Sequence, residues 1–295
     1  MNQQMHPALC LTYGQSGSGK TTDCGYSFPN ALFIATRGAL QSIRHTCGYE
    51  PASVDVNSIE EATACLNELK KKGGDYDAIV VDDFSFLAEQ QMAKLERKFS
   101  GFTLWGKLRD LTLEFRNAAR YSSCHVILNC WEKGPKTRGD GSYIRGGPEL
   151  SGKLPEQIPA LCDLVLRCGH DPSRQPWSGV YRCEHSSQYV MKDRFGLCYS
   201  ASPLPMNLGE TLRMAGYEVS RHKSLPWQEE VVEDFSSRLS ESTNFIADTN
   251  TLFQSLTSKG IDPTVARWTL RDAADRAVLR RALQNHNSTF IKTTA

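Results

Sequence analysis

The chain has 295 residues, of which 40% are hydrophobic and 23% are charged, and its formal net charge is +1. This balance excludes a general attraction of the whole molecule to nucleic acid, so binding of a polyanion requires a local patch of cations. No apolar run reaches the about 18 residues of a membrane span, and the N-terminus lacks the pattern of a signal peptide. Composition therefore predicts a globular, cytoplasmic protein with no membrane partner.

The first element in the chain is a short buried strand, residues 8–13, which runs into a glycine-rich loop. The loop fits the pattern G-x-x-x-x-G-K-[S/T] at every fixed position. Glycines let successive backbone N–H groups and a helix N-terminus face phosphate oxygens. We expect Lys20 to reach the β- and γ-phosphates of ATP and the Thr21 hydroxyl to bind Mg²⁺. The predicted nucleotide-binding residues are Gly14, Gln15, Ser16, Gly17, Ser18, Gly19, Lys20, Thr21 and Thr22.

Strands and helices alternate after this loop. A helix over residues 20–28 precedes the apolar run ALFIAT at 31–36, which has the character of a strand covered on both faces. A short strand at 53–56 follows, and Ser58 with Glu61 forms a capping box that begins a helix over 59–72, before Gly73 and Gly74. This alternation predicts an α/β fold with a mostly parallel central sheet.

The next predicted strand, residues 76–82, ends in two acidic residues. Asp82 and Asp83 follow a branched apolar run about sixty residues after the P-loop, which is a Walker B pattern. We expect Asp82 to hold Mg²⁺, through water, from the strand beside the P-loop strand. Two roles stay open for Asp83: it orients the attacking water, or it caps the following helix.

Two amphipathic helices are predicted over residues 85–99 and 104–121, before another buried strand over 124–130. Asn129 lies near the C-terminal end of that strand. Because ligands sit at the C-terminal ends of strands in open α/β sheets, Asn129 is a candidate γ-phosphate sensor. The alternative is that its side chain only satisfies nearby backbone groups.

Residues 132–149 contain five glycines and two prolines, which predicts a mobile loop without a core of its own. The loop leaves the sheet on the nucleotide side. Its cations would contact the phosphate backbone of DNA, and its tyrosine would stack on a base. The alternative is an inert surface loop. The candidate DNA-binding residues are Lys133, Lys136, Arg138, Tyr143 and Arg145.

Ten cysteines are scattered through the apolar segments, as expected for small buried thiols in a reducing compartment. Cys168, His170, Cys183 and His185 form a nominal Cys₂His₂ set on a predicted hairpin. If Cys168 faces Cys183, the two histidines point toward opposite ends of the ladder. Such a geometry does not close a tetrahedral metal site, so none is expected.

The remaining strands are predicted at residues 163–168, 180–184 and 188–194. Prolines interrupt the chain from residue 203, and the sequence after Trp227 is charged, amphipathic and helical. We therefore predict an ATP-binding core over residues 1–205, a linker over 206–224 and a helical C-terminal appendage over 225–295.

The order of motifs resembles that of the RecA-core ATPases. The P-loop, ALFIAT, AIVVDD, VILN and KDRFG follow one another in that order. GGPELSGKLPEQIPALCDLVLR and YVMKDRFG are similar to the phage-encoded nucleotide-binding group that includes the Sak-type single-strand annealing proteins. The resemblance covers about residues 7–200 and leaves the helical tail outside.

The resemblance implies a RecA-like core that uses ATP and Mg²⁺ and assembles as a ring or filament on single-stranded DNA, in the cytoplasm of a phage host. Such proteins promote pairing or annealing, beside a single-strand DNA-binding protein. In RecA-like assemblies a neighbouring subunit supplies cations that complete the ATP site, and Lys192 and Arg194 match that role by position. The alternative is that both cations pair with carboxylates on their own surface.

Two departures from the family pattern bear on hydrolysis. Thr36-Arg37-Gly38 stands where RecA-like ATPases often carry a catalytic glutamate, and Trp131 stands where close relatives tend to have a histidine. Asp83 is then the best substitute for the water-activating base, and slow turnover is expected. Two other functions stay open: an ATP-gated assembly module of a phage replication or virion complex, and a P-loop kinase.

Overall fold

The computed structural model describes residues 6–72, 75–152, 154–174, 177–183, 186–197, 203–222 and 225–293. The strands of this part of the chain are β1 (Leu9–Gly14), β2 (Ala31–Ala35), β3 (Ala52–Asp55), β4 (Ala78–Asp82), β5 (His125–Lys133), β6 (Lys136–Thr137), β7 (Tyr143–Ile144), β8 (Gly147–Pro148), β9 (Leu164–His170), β10 (Gly179–Arg182), β11 (Lys192–Asp193) and β12 (Leu204–Pro205). The helices are α1 (Lys20–Ser27), α2 (Gln41–Cys47), α3 (Ile59–Lys72), α4 (Phe84–Glu96), α5 (Gly101–Arg120), α6 (Leu154–Leu161), α7 (Leu208–Met214), α8 (Gln228–Glu241), α9 (Phe245–Ser258) and α10 (Pro263–Thr293).

One sheet contains all of these strands except β6 and β7. Its order is β12-β10-β9-β1-β5-β4-β2-β3, with β11 beside β9 and β8 beside β5. The six strands from β9 to β3 run parallel, and the short strands β8, β10, β11 and β12 run antiparallel to their neighbours. The predicted fold class, α/β with a mostly parallel central sheet, is confirmed.

The predicted position of the Walker B strand is wrong in one respect. β5, and not β4, pairs with the P-loop strand β1, with Leu9 opposite Val126, and β4 lies on the far side of β5. Sequence order does not reveal this arrangement, because a long crossover through α4 and α5 brings β5 back between the two earlier strands. Asp82 therefore reaches the P-loop across one intervening strand.

Helices cover both faces of the sheet, which explains the continuous apolar runs. In β2, for example, Phe33 packs in the core on the side of α1 and α2, whereas Ile34 packs in the core on the side of α3, α4, α5 and α6. Both side chains are fully buried. The inner parallel strands are thus sandwiched between two layers of helices, whereas the edge strand β3 is exposed.

The helix α3 begins and ends at the predicted residues. Ser58 caps it as predicted, because Ser58 Oγ accepts from the N–H of Glu61 at 3.3 Å, whereas Glu61 Oε2 accepts from the N–H of Asn57 at 2.8 Å, one residue before the N-cap. Gly73 and Gly74, predicted to end this helix, lie outside the described residues. The short helices α2, α6 and α7 were not predicted, since each has too few turns to show a clear period.

The prediction of an irregular loop over residues 132–149 is wrong. β5 extends to Lys133, β6 and β7 pair as a hairpin, and β8 returns to pair with the end of β5. The hairpin turn closes with a 2.8 Å bond from Arg138 N–H to the carbonyl of Ser142, and Gly141 in the turn has φ 80°. Glycine here serves a tight turn, which composition alone does not distinguish from a loop.

The C-terminal helices have an apolar cluster of their own and also pack on the sheet domain. Val232, Leu239, Leu252 and Leu270 are among the buried residues that α8, α9 and α10 share. The long helix α10 contacts α1 directly: the Tyr26 hydroxyl donates to Asp272 Oδ1 at 2.6 Å. The described part of the predicted appendage is helical as expected.

Buried charges join α7, α8 and α10. Arg221 Nη1 lies 2.8 Å from Glu210 and 2.7 Å from Asp272, and Arg276 contacts Glu210 as well as Glu229 at 2.6 Å. Glu210 is fully buried. Because breaking a buried ion pair leaves an uncompensated charge, this network fixes the position of α10 on the core.

The cysteines follow the prediction in part. Eight of those that the structure describes are free thiols, most of them buried, whereas Cys183 is disulfide-bonded, which corrects the expectation of thiols throughout. Cys168 lies opposite Tyr181, not opposite Cys183, and His185 lies outside the described residues. No cluster of three or more metal-ligating side chains occurs in the described part of the chain. None of its helices is long and apolar enough to span a membrane.

Candidate nucleotide site

The P-loop lies between the C-terminal end of β1 and the N-terminus of α1. Lys20 is only 7% exposed, and its ammonium group donates to the carbonyls of Gly14 at 2.9 Å and Gln15 at 3.1 Å. The cation is therefore held at the loop in which the backbone N–H groups converge. Positive charge and N–H donors at a helix N-terminus form a site for phosphate.

Two glycines of the loop are required by geometry. A Cβ on Gly14 would lie 2.8 Å from both Cys168 Cβ and Ser18 Oγ, so a side chain does not fit between the loop and β9. Gly19 precedes α1 with φ 92°, a left-handed conformation that side chains rarely adopt. The glycines at the first and last glycine positions of the motif thus meet specific steric needs in this fold.

The two predicted magnesium ligands are in direct contact. The Thr21 hydroxyl donates to Asp82 Oδ2 at 2.6 Å, and Asp82 is 3% exposed. Burial raises the pKa of Asp82, and the hydrogen bonds from Thr21 and Asn129 oppose this rise. A hydroxyl and a carboxylate are the hard oxygen ligands that Mg²⁺ prefers. These residues fit the cation.

Asp83 caps the helix that follows β4. Its carboxylate accepts from the N–H of Ser85 at 2.8 Å, which confirms the capping role that the sequence left open. Burial, and then the adjacent charge of Asp82, raise the pKa of Asp83 to about 7. The peptide bond between the two aspartates is cis.

Asn129 lies beneath the P-loop and connects three elements. It is fully buried, its Oδ1 accepts from the Thr12 hydroxyl at 2.6 Å, and its Nδ2 donates to Asp82 Oδ1 at 3.1 Å. The Sγ of Cys24 in α1 lies 3.6 Å away. Asn129 therefore orients Asp82, and its complete burial favours this positioning role over contact with a phosphate.

The predicted DNA-binding residues surround a groove of about 980 Å³ between the β6–β7 hairpin and the helices α4 and α5. Lys133, Lys136 and Arg138 are exposed, and none of them forms an ion pair within the described part of the chain. Arg145 differs, because its guanidinium donates to the backbone carbonyls of Ser186 and Tyr189. The groove is thus basic on its hairpin side.

The wall of this groove that α5 forms carries an aromatic residue that no sequence motif indicated. Trp105, at the start of α5, is 44% exposed and lines the groove together with Tyr143, which is 49% exposed. Phe102, one turn earlier, is 98% exposed. The available signal in the sequence was the presence of two large aromatic residues, Phe102 and Trp105, in the first turns of an amphipathic helix.

Lys192 and Arg194 lie at the end of the sheet opposite to the P-loop, near the N-terminal ends of β9 and β1. Lys192 pairs with Val165 near the N-terminal end of β9, whereas the P-loop follows the C-terminal end of β1. The ammonium of Lys192 donates to the carbonyl of Ala160 at 2.6 Å, and Arg194 forms an ion pair of 3.0 Å with Asp163. The predicted cations are therefore not part of the ATP site of their own chain.

A carboxylate that the sequence left unassigned lies at the root of the hairpin. Glu132 accepts two hydrogen bonds from Arg167, at 2.9 and 3.1 Å, and the guanidinium of Arg167 lies 3.9 Å from the centre of the Tyr189 ring. Arg37, which follows β2, is exposed, and it stands at the position where the family pattern predicts a catalytic glutamate. The structure therefore assigns paired or capping roles to Glu132 and Asp83.

Comparison with known proteins gives one family. A family model described as AAA domain matches residues 6–195. The RadB recombinase structure is 19% identical over 62% of this chain and 84% of that chain, with a TM-score of 0.38. The KaiC-like protein PH0186 from Pyrococcus horikoshii OT3 is 15% identical over 63% and 82%, also with a TM-score of 0.38. Among curated proteins none matches, and the two structural likenesses are too weak to carry an argument about activity.

Proposed function

Because the chain belongs to the AAA domain family, we propose that it is an ATPase that acts as a homo-oligomer on single-stranded DNA, in the manner of Sak-type phage annealing proteins. The proposal of nucleotide binding rests on one observation: Lys20 is hydrogen-bonded to the P-loop, and Thr21 at the start of α1 is hydrogen-bonded to Asp82. The proposed setting is the cytoplasm of a phage host, beside a single-strand DNA-binding protein.

The residues of the site have separate tasks in this proposal. Lys20 and the loop N–H groups bind the phosphates, and Asn129 keeps the Asp82 carboxylate turned toward Thr21. Mg²⁺, which Thr21 and Asp82 would hold, neutralises charge on the phosphate oxygens when it is bound. Lys20 is placed to stabilise the additional charge that develops on the transferred group.

The groove supports the proposal for DNA. The exposed cations at the end of β5 and on the hairpin, which form no ion pair with the residues that the structure describes, suit a sugar-phosphate backbone. Tyr143 and Trp105 offer ring faces on which bases stack without sequence preference. The hairpin continues directly from β5, whose residue Asn129 contacts Asp82. DNA and nucleotide would then bind at opposite ends of one short strand segment.

A second function has specific support. Asp83 caps a helix and Glu132 pairs with Arg167, so each carboxylate already has a structural partner. This favours an assembly module that binds ATP and hydrolyses it slowly. Both functions use the same phosphate site and differ in whether DNA accelerates turnover.

The deciding experiment measures ATP hydrolysis with and without single-stranded DNA, together with ATP affinity by calorimetry. We expect Lys20→Ala to abolish measurable Mg-ATP binding, because it removes the cation from the phosphate site. Lys98→Ala, an exposed lysine on the loop after α4, is the matched control. DNA-stimulated turnover supports the annealing ATPase, whereas binding without stimulated turnover supports the assembly module. Unchanged Mg-ATP affinity in Lys20→Ala would contradict both.

A further inference from the structure

A cavity of about 280 Å³ adjoins the P-loop on the side away from Asp82. Gly17, Gly19 and Thr22 form its floor, and His170 at the end of β9 and Gly179 at the start of β10 border it. Its volume is near the lower end of the range for small-ligand pockets. No sequence motif pointed to this cavity.

The strand order shows on which side of the P-loop strand the cavity lies. β5 and β4, which carry Asn129 and Asp82, lie on one side of β1, whereas β9 and β10 lie on the other. A nucleotide whose terminal phosphates lie near Thr21 and Asp82 must extend its remaining part away from them. The cavity lies on that side, next to the loop and to Thr22.

Part of the cavity wall is formed by residues that follow the range 6–195 matched by the family model. Met206, Arg271 and Asp275 line the cavity, and the last two belong to α10. Arg271 is nearly buried, lies 3.6 Å from Asp23 in α1 and donates to the carbonyl of Met206 at 2.6 Å. Its guanidinium lies 3.9 Å from the centre of the Tyr26 ring, and its buried Nε is 3.7 Å from Asp275 Oδ2 and makes no hydrogen bond in the described part of the chain. Buried donors without a partner are rare, and a ligand is one explanation.

Trp177 gives the cavity an aromatic surface. It is half-buried and also packs against the apolar cluster of α8, α9 and α10. An indole ring and the Met206 thioether form the apolar part of the wall, while Asp275 provides an acceptor for hydroxyl or amino hydrogens. The lining thus combines a flat apolar surface with a few polar groups, as nucleoside recognition requires.

We propose that this cavity binds the base and ribose of the nucleotide and that α10 forms one of its walls. The inference rests on the nucleotide binding proposed above and extends it to a part of the chain beyond the matched domain. The C-terminal helices then contact the nucleotide directly. Asp23 in the first turn of α1 joins this wall to the P-loop helix, because Arg271 of α10 lies 3.6 Å from its carboxylate.

Calorimetry with two ligands tests the inference on the full chain. Mg-ATP carries phosphates and a nucleoside, whereas Mg-tripolyphosphate carries phosphates alone. We expect Trp177→Ala to weaken Mg-ATP binding by about tenfold, the size of one lost aromatic stack, and to leave tripolyphosphate affinity unchanged. Trp177→Phe should retain most of the ATP affinity. Trp227→Ala, also half-buried but not in the cavity wall, is the control and should leave both affinities unchanged.

The outcomes separate this inference from the proposed function. If the unmodified protein binds neither ligand, nucleotide binding itself is wrong. If it binds both and Trp177→Ala keeps the ratio of the two affinities, the nucleoside lies elsewhere and the inference is overturned. An equal loss of both affinities in Trp177→Ala also overturns it, because a nucleoside contact cannot act on tripolyphosphate.

Discussion

At the scale of single residues, the site depends on a chain of buried hydrogen bonds. Thr12, Asn129, Asp82 and Thr21 follow one another in β1, β5, β4 and α1, and each contact is between 2.6 and 3.1 Å. Asn129 can serve both neighbours because an amide carries an acceptor and a donor. A carboxylate at the same place would repel Asp82, and an apolar residue would remove one hydrogen bond from Thr12 and one from Asp82.

We therefore expect Asn129→Ala to lower the free energy of unfolding by about 1–3 kcal/mol, since it removes one hydrogen bond from each of two buried polar groups, Thr12 and Asp82. Denaturant unfolding without nucleotide measures this loss. In a Thr12→Val background the loss should be smaller, because one of these two hydrogen bonds is already absent. Asn117→Ala, at an exposed asparagine of α5, is the control. A change of less than about 0.5 kcal/mol in Asn129→Ala would show that the chain of hydrogen bonds contributes little.

At the scale of elements, the groove is formed by the β6–β7 hairpin and α5 together, and neither element forms it alone. The hairpin presents the cations, and the first turns of α5 present Trp105. The groove also contains the carboxylates of Glu89, Glu149 and Glu156, so its charge is not uniform. A strand of DNA would follow the hairpin side, where the lysines and Arg138 lie, rather than the centre.

Replacement of Lys133, Lys136 and Arg138 by alanine should weaken binding of single-stranded DNA and reduce its dependence on salt. Each lost phosphate contact lowers the log–log slope by about 0.7, so the triple variant should lose about 2. Affinities at several salt concentrations provide the slope. The control removes three exposed lysines outside the groove, Lys71, Lys98 and Lys259. If the two triple variants show the same slope, the DNA follows another path.

Trp105→Ala should act differently from the cation variants. It removes a stacking surface and no charge, so we expect the affinity to fall about tenfold while the salt slope stays constant. The same titrations measure both quantities. If Trp105→Ala changes the salt dependence of the DNA affinity but does not weaken binding at high salt, Trp105 supports the hairpin and does not stack on a base.

At the scale of the whole molecule, the positions of Lys192 and Arg194 bear on assembly. They lie near the N-terminal end of β9, and the P-loop follows the C-terminal end of β1, so they can reach a P-loop only on a neighbouring subunit. Arg194 shares Asp163 with Arg120, which forms an ion pair of 2.7 Å with the other oxygen. Asp163 therefore keeps one cationic partner if Arg194 turns toward another chain.

We expect Arg194→Ala to lose ATP turnover and keep most ATP binding, because a cation from a neighbour acts mainly on the transition state. Mixing Arg194→Ala with Lys20→Ala subunits should restore part of the activity, since each supplies the half-site that the other lacks. Arg120→Ala is the matched control, because it removes the other partner of Asp163. Equal loss of turnover in Arg120→Ala and Arg194→Ala, with no recovery on mixing, would show that the effect comes from Asp163 within one chain.

The sequence by itself determined the local chemistry of the nucleotide site. The P-loop spacing, the acids at the end of β4 and the period of α3 are properties of short segments, and local sterics and capping decide them. Only the tertiary structure decided which strands are neighbours, that Asn129 contacts Asp82, and that α10 lies against the P-loop helix. These contacts join residues far apart in the chain, and the core packing and buried charges that select them leave no periodic signal in the sequence.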